Sequence, residues 1–497
     1  MQVVMGIDVG TEGTKVLLLD EKGQIVGQAY QAYSFDSPQS GWTEQDPNVW
    51  WQACLSCFQT LWDRGTKPQS IVGIGVAGQM HSSVLLDDQG EVLTKSILWN
   101  DTRTKAICDQ TLQQVGYTKW QEETCNSLMP GFTLGKILWT KENLPAIYAK
   151  IAHILMPKDY IVYRLTGVLS SDVTDASGTG VFDVRHRRFH QDLLHEIGLA
   201  DSLFPEVHES ATIIGTVSKT ASEQTRLSQQ CQVIAGAADN AAAAVGLGIF
   251  SKGQGLLSIG TSGVVLSSLD QPPTKEEAAL QNPTLHVFCH AMPNLWYAMG
   301  VTLSAGASLK WFREALGSGL SYDDLMEKAS KVKPGSDGLL YFPFLTGERT
   351  PYNNDQLRSA YLFVHAGHQQ GDFARSVIEG VAYSLRESLD IVKKTVRSID
   401  RYAVTGGVVH SPLWLQILAD LVGQSLRIPE IAEGAAYGAA MLSGLAVGWW
   451  QENFNLLFVD QTESQVVPAQ NQDYYQKQYE YYQTYANWIN QISVHFG

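Results

Sequence analysis

A short glycine-rich segment near the start of the chain, residues 6–15, constrains the fold more than any other stretch. Apolar runs lie on both sides of it, so the pattern predicts a strand, a tight turn and a second strand. Gly10 and Gly13 lack a Cβ atom, which lets a bulky anion approach the backbone N–H groups. Asp8 ends the first strand, and a carboxylate beside a phosphate favours Mg²⁺ between them. An ordinary hairpin with an acidic turn remains the alternative for this stretch alone.

The same pattern recurs near the middle of the chain. Residues 260–263 align with residues 10–13, and Ser258 stands where Asp8 stood. Two such hairpins, one in each half, predict an internal duplication. A cleft between two related domains, with an anion loop on each wall and one carboxylate, suits phosphoryl transfer. No Walker A motif occurs, which excludes the P-loop class.

Composition excludes several other classes. The chain has 497 residues, of which 44% are hydrophobic and 17% charged, so we expect two or three well-packed domains. The net charge of -15 and the lack of Lys/Arg runs disfavour nucleic-acid binding. Six scattered cysteines fit reduced thiols in a cytoplasm, and no apolar run reaches the roughly 18 residues of a membrane span. Cys54 and Cys57 form one C-x-x-C in a helical pattern, without the second pair of a zinc site.

A literal G-x-G-x-x-G occurs at Gly73, Gly75 and Gly78, but its setting argues against a dinucleotide site. The glycines lie inside an apolar, strand-like run rather than between a strand and a helix. A buried strand whose small residues let a neighbour pack closely explains them better. His81 follows this strand, where ligands gather in open α/β sheets. On position alone, a structural histidine and a ligand contact are equally good interpretations of His81.

Residues 233–246 predict a strand, a small-residue turn and an alanine-rich helix. Asp239 falls near the helix N-terminus, where Asp is also an ordinary N-cap. The functional interpretation is a general base that the helix dipole keeps ionised. The alanines predict that the helix packs against a neighbour with no room for side chains.

Further helices are predicted from the spacing of apolar residues. They are expected near residues 133–150, 303–316 and 373–394. A stripe in the last helix predicts a docking surface rather than a base-stacking platform, because basic residues are nearly absent there. Its members are Tyr475, Tyr479, Tyr482, Ala486, Ile489 and Ile492.

Together these motifs resemble the FGGY carbohydrate kinases, a branch of the actin, Hsp70 and hexokinase superfamily, over nearly the whole chain. The triplet Gln79, Met80, His81 is the feature that best distinguishes members of this family from one another, since its glycerol kinases carry Arg-Glu at the matching place. The stretches that carry the resemblance are residues 6–11, 42–47 with Trp50 and Trp51, 77–81, 98–101, 129–133, 239–242 and 345–351.

The resemblance implies an α/β chain with two ribonuclease-H-like domains, expected at residues 1–247 and 248–497, closing over a central cleft. It implies ATP and Mg²⁺ as cofactors and in-line transfer to a sugar, with D-xylulose expected first. L-ribulose, L-fuculose and gluconate stay open as substrates. An actin- or Hsp70-like nucleotide switch is the non-enzymatic alternative, which leaves the Gln-Met-His triplet without a purpose. The oligomeric state is open, with a homodimer as one candidate.

The resemblance also implies roles for individual residues. Asp239 would accept the proton of the sugar hydroxyl, and Asp8 would lie at the metal and the transferring phosphate. The ketose would contact Met80, His81, Asp239 and Asn240, and the nucleotide would contact Thr11, Gly260, Thr261, Ser262, Gly406 and Gly407.

Two features of these stretches bear on the ligands. Val408 and Val409 follow the glycine pair where family members often carry a small and a polar residue. Residues 79–81 and 239–240 contain no Lys or Arg, which favours a ketopentose over the negatively charged gluconate. Arg103 is a cation from another part of the chain that could still reach this site.

Overall fold

Two mixed β-sheets, one in each half of the chain, organise the protein. The structure is a computed structural model that describes residues 1–317, 319–396, 399–430, 434–451, 454, 457, 464–469 and 471–493. Within these residues each sheet has seven strands, and helices pack against both sheets. The two-domain α/β class predicted from the sequence is therefore confirmed.

The first half alternates short strands and helices. Its strands are β1 (Val3–Val9), β2 (Gly13–Leu19), β3 (Ile25–Ala32), β4 (Glu44–Gln45), β5 (Ile71–Gly78), β6 (Val84–Leu86), β7 (Ser96–Ile97), β8 (His153–Leu155), β9 (Ser170–Asp172), β10 (Phe182–Asp183), β11 (Arg188–Phe189), β12 (Glu206–His208), β13 (Ile213–Thr216), β14 (Gln232–Ile234) and β15 (Ala237–Ala238). Its helices are α1 (Pro47–Asp63), α2 (Lys105–Val115), α3 (Tyr117–Thr124), α4 (Thr133–Asn143), α5 (Pro145–Tyr148), α6 (Pro157–Thr166), α7 (Val173–Ser177), α8 (Gln191–Glu196), α9 (Lys219–Thr225) and α10 (Asp239–Gly246).

The second half has fewer strands and longer helices. Its strands are β16 (Gln254–Ile259), β17 (Gly263–Leu269), β18 (His286–Cys289), β19 (Trp296–Thr302), β20 (Leu340–Phe342), β21 (Ala360–Leu362), β22 (Arg401–Gly406), β23 (Leu426–Ile428) and β24 (Ser464–Val466). Its helices are α11 (Lys275–Ala279), α12 (Gly306–Ala315), α13 (Tyr322–Ser330), α14 (Gln370–Val396), α15 (Pro412–Val422), α16 (Gly434–Ala446) and α17 (Gln472–Ser493).

The same strand arrangement occurs in both sheets. In the first, β1 pairs antiparallel with β2 and parallel with β5, and β3 lies outside β2. In the second, β16 pairs antiparallel with β17 and parallel with β22, and β19 lies outside β17. The repeated hairpin predicted from the two glycine turns is thus confirmed.

Helices α10 and α16 meet between the two halves at very short range. A Cβ atom at Gly438 of α16 would lie 1.8 Å from Ala242 O of α10. A Cβ atom at Gly75 of β5 would lie 2.0 Å from Ala439 O of α16. The alanine run and the glycines of β5 therefore serve close packing, as the sequence predicted, and the dinucleotide interpretation is wrong.

Two helix predictions had different outcomes. The helix expected over residues 133–150 is divided into α4 and α5, because Pro145 disfavours helical geometry at Leu144 and begins a new helix. The docking surface on α17 is confirmed: Tyr475, Tyr479 and Tyr482 are buried, and the Tyr482 ring stacks on Phe342 with centroids 4.8 Å apart.

Two points concern the chain as a whole. We retain the division at residues 247/248 as a proposal, since α10 ends at Gly246 and β16 begins at Gln254. Among the described helices, none combines the length and the apolar character that crossing a bilayer requires.

Candidate active site

The turn after β1 is held mainly by side chains. Its backbone closes through Gly10 N–H, which donates to Gly13 O at 3.0 Å. The Thr11 hydroxyl accepts a hydrogen bond from Trp99 Nε1 at 3.0 Å, and Gln45 Nε2 donates to Thr11 O at 3.1 Å. Asp8 lies half-buried at the end of β1 beside this turn. The arrangement places a carboxylate next to the turn that is predicted to accept an anion.

Met80 and His81, two of the predicted sugar contacts, follow β5. His81 adopts a left-handed conformation with φ of 70°, its Nδ1 lies 2.7 Å from Gly178 O, and its ring stacks on Phe132 with centroids 4.7 Å apart. Since a carbonyl only accepts, Nδ1 carries the proton and Nε2 is the acceptor of the ring. Burial lowers the pKa of His81 to about 3, so the ring is neutral at physiological pH.

Asp239 begins α10 and is hydrogen-bonded to Asn240, which contacts Met80. Its Oδ1 accepts hydrogen bonds from Asn240 N at 2.7 Å and Asn240 Nδ2 at 3.0 Å. Asn240 Nδ2 lies 3.9 Å from Met80 Sδ, which brings these predicted sugar contacts together. The N-cap position belongs to Ala238, so Asp239 is not an ordinary N-cap.

The electrostatics of Asp239 differ from the sequence expectation. Burial, with a further contribution from the nearby Asp8 carboxylate, raises the pKa of Asp239 to about 7. The expectation that the helix dipole keeps this group ionised is wrong, because desolvation and a like charge outweigh the dipole. A carboxyl with a pKa near neutrality is well matched to accepting a proton at physiological pH.

The turn after β16 is held by backbone bonds to the start of α12. Gly260 N–H donates to Ser262 O at 3.0 Å, and Ala305 and Ala307 N–H donate to Thr261 O at 3.0 and 3.1 Å. Gly260 and Thr261 are exposed. The tip of this turn is therefore exposed, and its contact with a nucleotide stays a prediction.

Gly406 and Gly407 lie beside that second turn. Gly406 pairs with Ile259 and has a φ of 91°, and a Cβ atom there would lie 2.2 Å from Ile259 O. A Cβ atom at Gly407 would meet nothing within 4 Å. The second turn and the glycine pair thus share one surface in the second half, which fits their predicted role toward the nucleotide.

Arg349 is a residue that the sequence analysis did not assign. Its Nη2 lies 3.9 Å from where a Cβ atom of Gly131 would stand. Glu348 fixes the backbone here, accepting from Leu303 N at 2.9 Å and Arg349 N at 2.7 Å. Among the described residues the guanidinium makes no ion pair. Residues 345–351 carried the family resemblance, but nothing local indicated that this arginine reaches the first half.

Lys136 is a second unassigned residue. It is buried, and its Nζ donates to His81 O at 2.7 Å and Gly131 O at 2.5 Å. It therefore ties the backbone of His81 to that of Gly131, the residue that Arg349 approaches. Its position in a helical pattern gave the sequence analysis no signal of this role.

Arg103 does not enter the site, contrary to the option left open by the sequence. Its Nη2 lies 2.8 Å from Asp101 Oδ2, and its Nη1 lies 2.8 Å from Glu44 Oε1. Its guanidinium also stacks on Trp42 at 3.6 Å from the ring centroid. The charge of Arg103 is therefore paired with two carboxylates in the first half of the chain.

A separate surface group brings together Asp337, His365 and His368, with potential ligand atoms within 4.8 Å of one another. His365 Nδ1 accepts from Gly367 N–H at 3.0 Å, and His368 Nδ1 accepts from His365 N–H at 3.1 Å. Both rings therefore carry their proton on Nε2, facing Asp337. Metal-bound histidines usually donate from the second nitrogen, so this group is better described as a hydrogen-bonded surface cluster.

Comparison with known proteins gives a consistent result. Residues 3–246 match the N-terminal domain of the FGGY family of carbohydrate kinases, and residues 255–447 match its C-terminal domain. The chain is 36% identical over 472 residues to a xylulose kinase of Lactococcus lactis, covering 94% of this chain and 93% of that protein.

Solved structures agree with this fold. A crystal structure described as a xyloylose kinase from Brucella ovis has a TM-score of 0.91 at 32% identity and covers 99% of this chain and 100% of its own. A gluconate kinase from Lactobacillus acidophilus has a TM-score of 0.93 at 24% identity, with 100% of both chains covered. At that identity the second likeness shows the fold alone.

Proposed function

The chain belongs to the FGGY family of carbohydrate kinases and is an ATP-dependent sugar kinase, and we propose that its sugar substrate is D-xylulose and its product D-xylulose 5-phosphate. The observation that carries the catalytic part of this proposal is the position of Asp239. Its carboxyl accepts two hydrogen bonds from Asn240, which in turn contacts Met80, and it is close enough to Asp8 for that carboxylate to contribute to raising its pKa to about 7.

Asp239 is the proposed general base. As the sugar hydroxyl oxygen attacks the γ-phosphorus of ATP, the bond from that phosphorus to the β,γ-bridging oxygen breaks and ADP leaves. The hydroxyl proton passes to the Asp239 carboxylate. Asn240 holds Oδ1 through two hydrogen bonds, so we assign the proton transfer to Oδ2. A sugar hydroxyl is a weak nucleophile near pH 7, which is why a positioned acceptor helps.

Asp8 is the proposed position of Mg²⁺. The Asp8 carboxylate is close enough to raise the pKa of Asp239, so a phosphate arriving here would meet two acidic groups. Oxygen donors of this kind fit a hard divalent cation. When bound, Mg²⁺ would neutralise charge on the transferring phosphate. Within this chain, Thr11, Gly260, Thr261, Ser262, Gly406 and Gly407 are the proposed nucleotide contacts.

The proposed sugar contacts combine hydrogen bonding with one apolar surface. Neutral His81 can accept a hydrogen bond from a sugar hydroxyl at Nε2, Asn240 offers an amide, and Met80 supplies the apolar surface. Such a site discriminates between sugars because a misplaced hydroxyl leaves a buried polar group unpaired. D-xylulose is further supported by the 36% identity to the Lactococcus xylulose kinase.

Gluconate is the second candidate substrate, and a specific residue favours it. Arg349 approaches Gly131, whose backbone Lys136 ties to His81, so a cation lies near the proposed sugar contacts. A guanidinium pairs well with a carboxylate, which gluconate carries and D-xylulose does not. The sequence argument against gluconate rested on the lack of such a cation.

A coupled ADP-release assay over pentuloses, hexuloses, polyols and gluconate tests the proposal. We expect the highest kcat/KM for D-xylulose, and a loss of about 10-fold or more with His81→Ala, since a buried hydroxyl would lose its partner. Gluconate or L-ribulose exceeding D-xylulose would overturn the substrate while leaving the kinase activity intact. ATP turnover that no sugar stimulates would favour the nucleotide switch.

A further inference from the structure

A fully buried charged cluster lies behind the candidate base and takes no part in the chemistry described so far. The side chain of Lys158, from α6, has no exposed surface, and its Nζ lies 2.5 Å from Asp159 Oδ1 and 3.0 Å from Asp172 Oδ1. Asp175 Oδ2 lies 3.6 Å away. Burial alone would lower the pKa of Lys158, but these carboxylates raise it overall, so the lysine stays charged.

The cluster reaches the backbone beside Asp239 through one hydroxyl group. Thr174 Oγ1 donates to Asp172 Oδ2 at 2.7 Å and accepts from Ala238 N–H at 2.8 Å. Ser210 Oγ also donates to Asp172 Oδ2, at 2.7 Å. A hydroxyl that donates to a carboxylate is a stronger acceptor for its own donor. The bond to Ala238 is therefore reinforced by the charges behind it.

Lys158 also supports the two strand ends that carry the proposed sugar site. Its Nζ donates to Ala235 O at 3.2 Å. Its Cβ lies 3.2 Å from where a Cβ atom of Gly78 would stand, and its Cδ lies 3.2 Å from the corresponding position at Gly236. β15 pairs with the end of β5 at this point. Lys158 thus packs against both the end of β5, which precedes Met80, and the segment before β15, which precedes Asp239.

A buried aspartate just before a helix ordinarily caps that helix, and Asp172 already does so. Asp172 caps α7 through the backbone N–H groups of Thr174 and Asp175, at 3.0 and 3.2 Å. Neither bond needs the Thr174 hydroxyl or Lys158. The contact from Thr174 to Ala238 links α7 to the start of α10, which capping does not require.

We propose that Thr174, supported by Asp172 and Lys158, is a positioning residue that fixes the first turn of α10 and thereby the Asp239 carboxyl. Ala238 has no side chain able to fix this turn, so its N–H depends on Thr174. This inference rests on the proposed role of Asp239 as the base. Groups facing Asp239 from neighbouring elements are Asp8 on β1, Asp175 on α7 and Tyr297 on β19.

The test compares two variants of the full-length enzyme with D-xylulose. Thr174→Val keeps the shape but removes the hydroxyl, and Thr174→Ser keeps the hydroxyl. We expect Thr174→Val to lower kcat by about 10-fold to 100-fold, since Ala238 N–H is left unpaired, while KM for ATP stays within about twofold. Thr174→Ser should retain kcat within about threefold.

Three outcomes would overturn the inference. They are a wild-type kcat in Thr174→Val, equal losses of kcat in Thr174→Val and Thr174→Ser, and a loss of kcat in Thr174→Val that merely follows the fraction of folded protein. If Thr174→Val does not fold, the kcat of Thr174→Cys is compared with that of Thr174→Ser instead. Sulfur is a weaker hydrogen-bond acceptor than a hydroxyl oxygen, so only the Cys variant should be impaired. The Cys variant must then be at least about fivefold slower, and equal rates reject the role.

Failure of this inference is distinguishable from failure of the proposed function. If Asp239→Asn is impaired and Thr174→Val is not, only the positioning role fails. If Asp239→Asn turns over D-xylulose as fast as the wild-type enzyme, the role of the base fails first.

Discussion

The two glycine turns share a strand arrangement but differ in how they are held. The turn after β1 depends on side chains: Trp99 and Gln45 both bond Thr11. The turn after β16 depends on backbone bonds from the first residues of α12. Repetition of a backbone motif thus leaves each copy free to acquire different supports.

The chemistry of the two turns differs in the same way. Asp8 precedes the first turn, and Ser258 occupies the matching place before the second. Thr11 Oγ1 also lies 3.4 Å from Gln79 Oε1, which links the first turn to the loop that carries Met80 and His81. The first turn is therefore joined to the proposed sugar contacts, and the second to the proposed nucleotide contacts at Gly406.

The largest expected effect separates Asp8 from Ser258. Asp8→Ala should lower kcat by about 10²-fold or more, because charge neutralisation at the phosphate is worth several kcal/mol. Ser258→Ala is the matched control and should stay within about twofold, since this substitution at a half-buried strand position removes one oxygen atom and no charge. Steady-state kinetics over a range of Mg²⁺ concentrations measures both. Equal losses, or normal Mg²⁺-dependent rates in Asp8→Ala, would contradict the division of roles.

An acid limb in the pH profile is the next effect. Since Asp239 must be ionised to accept a proton and its pKa is about 7, kcat/KM for D-xylulose should fall below pH 7, approaching tenfold per pH unit. His81, with a pKa of about 3, does not contribute to this limb. Because Asp8 raises the pKa of Asp239, the residual activity of Asp8→Asn should show the limb at lower pH. An unmoved limb would show that Asp8 does not influence the base.

The smallest effect concerns the side-chain support of the first turn. Trp99→Phe removes the donor to Thr11 and should raise KM for ATP by about threefold to tenfold, the cost of one hydrogen bond. Trp139→Phe is the control, since that ring packs against Trp42 instead. Nucleotide titrations of both variants provide the measurement. Matching affinities in the two variants would show that side chains do not hold this turn.

Much of the fold was predictable because its signals are local. The glycine turns, the strand–turn–helix at Asp239 and the alanine run all lie within short stretches. The break in the helix at Pro145 was also local, but apolar spacing outweighed it in the prediction.

The remaining features depend on contacts between distant segments. Arg349 approaches Gly131 and Lys136 bonds His81 O only after folding, and Thr174 reaches Ala238 from another helix. The upward shift in the pKa of Asp239 required burial and the nearby Asp8, neither of which is visible from Asp239 and its sequence neighbours. A local pattern can therefore locate the candidate base without giving its charge state.

Phosphorus NMR of the complete reaction tests the central claim most directly. Wild-type enzyme with ATP, Mg²⁺ and D-xylulose should produce a sugar phosphomonoester signal that grows in step with ADP. Asp239→Asn should produce it at least about 10²-fold more slowly, while still binding the sugar. Inorganic phosphate in place of the sugar ester, or equal rates in the two proteins, would contradict the account.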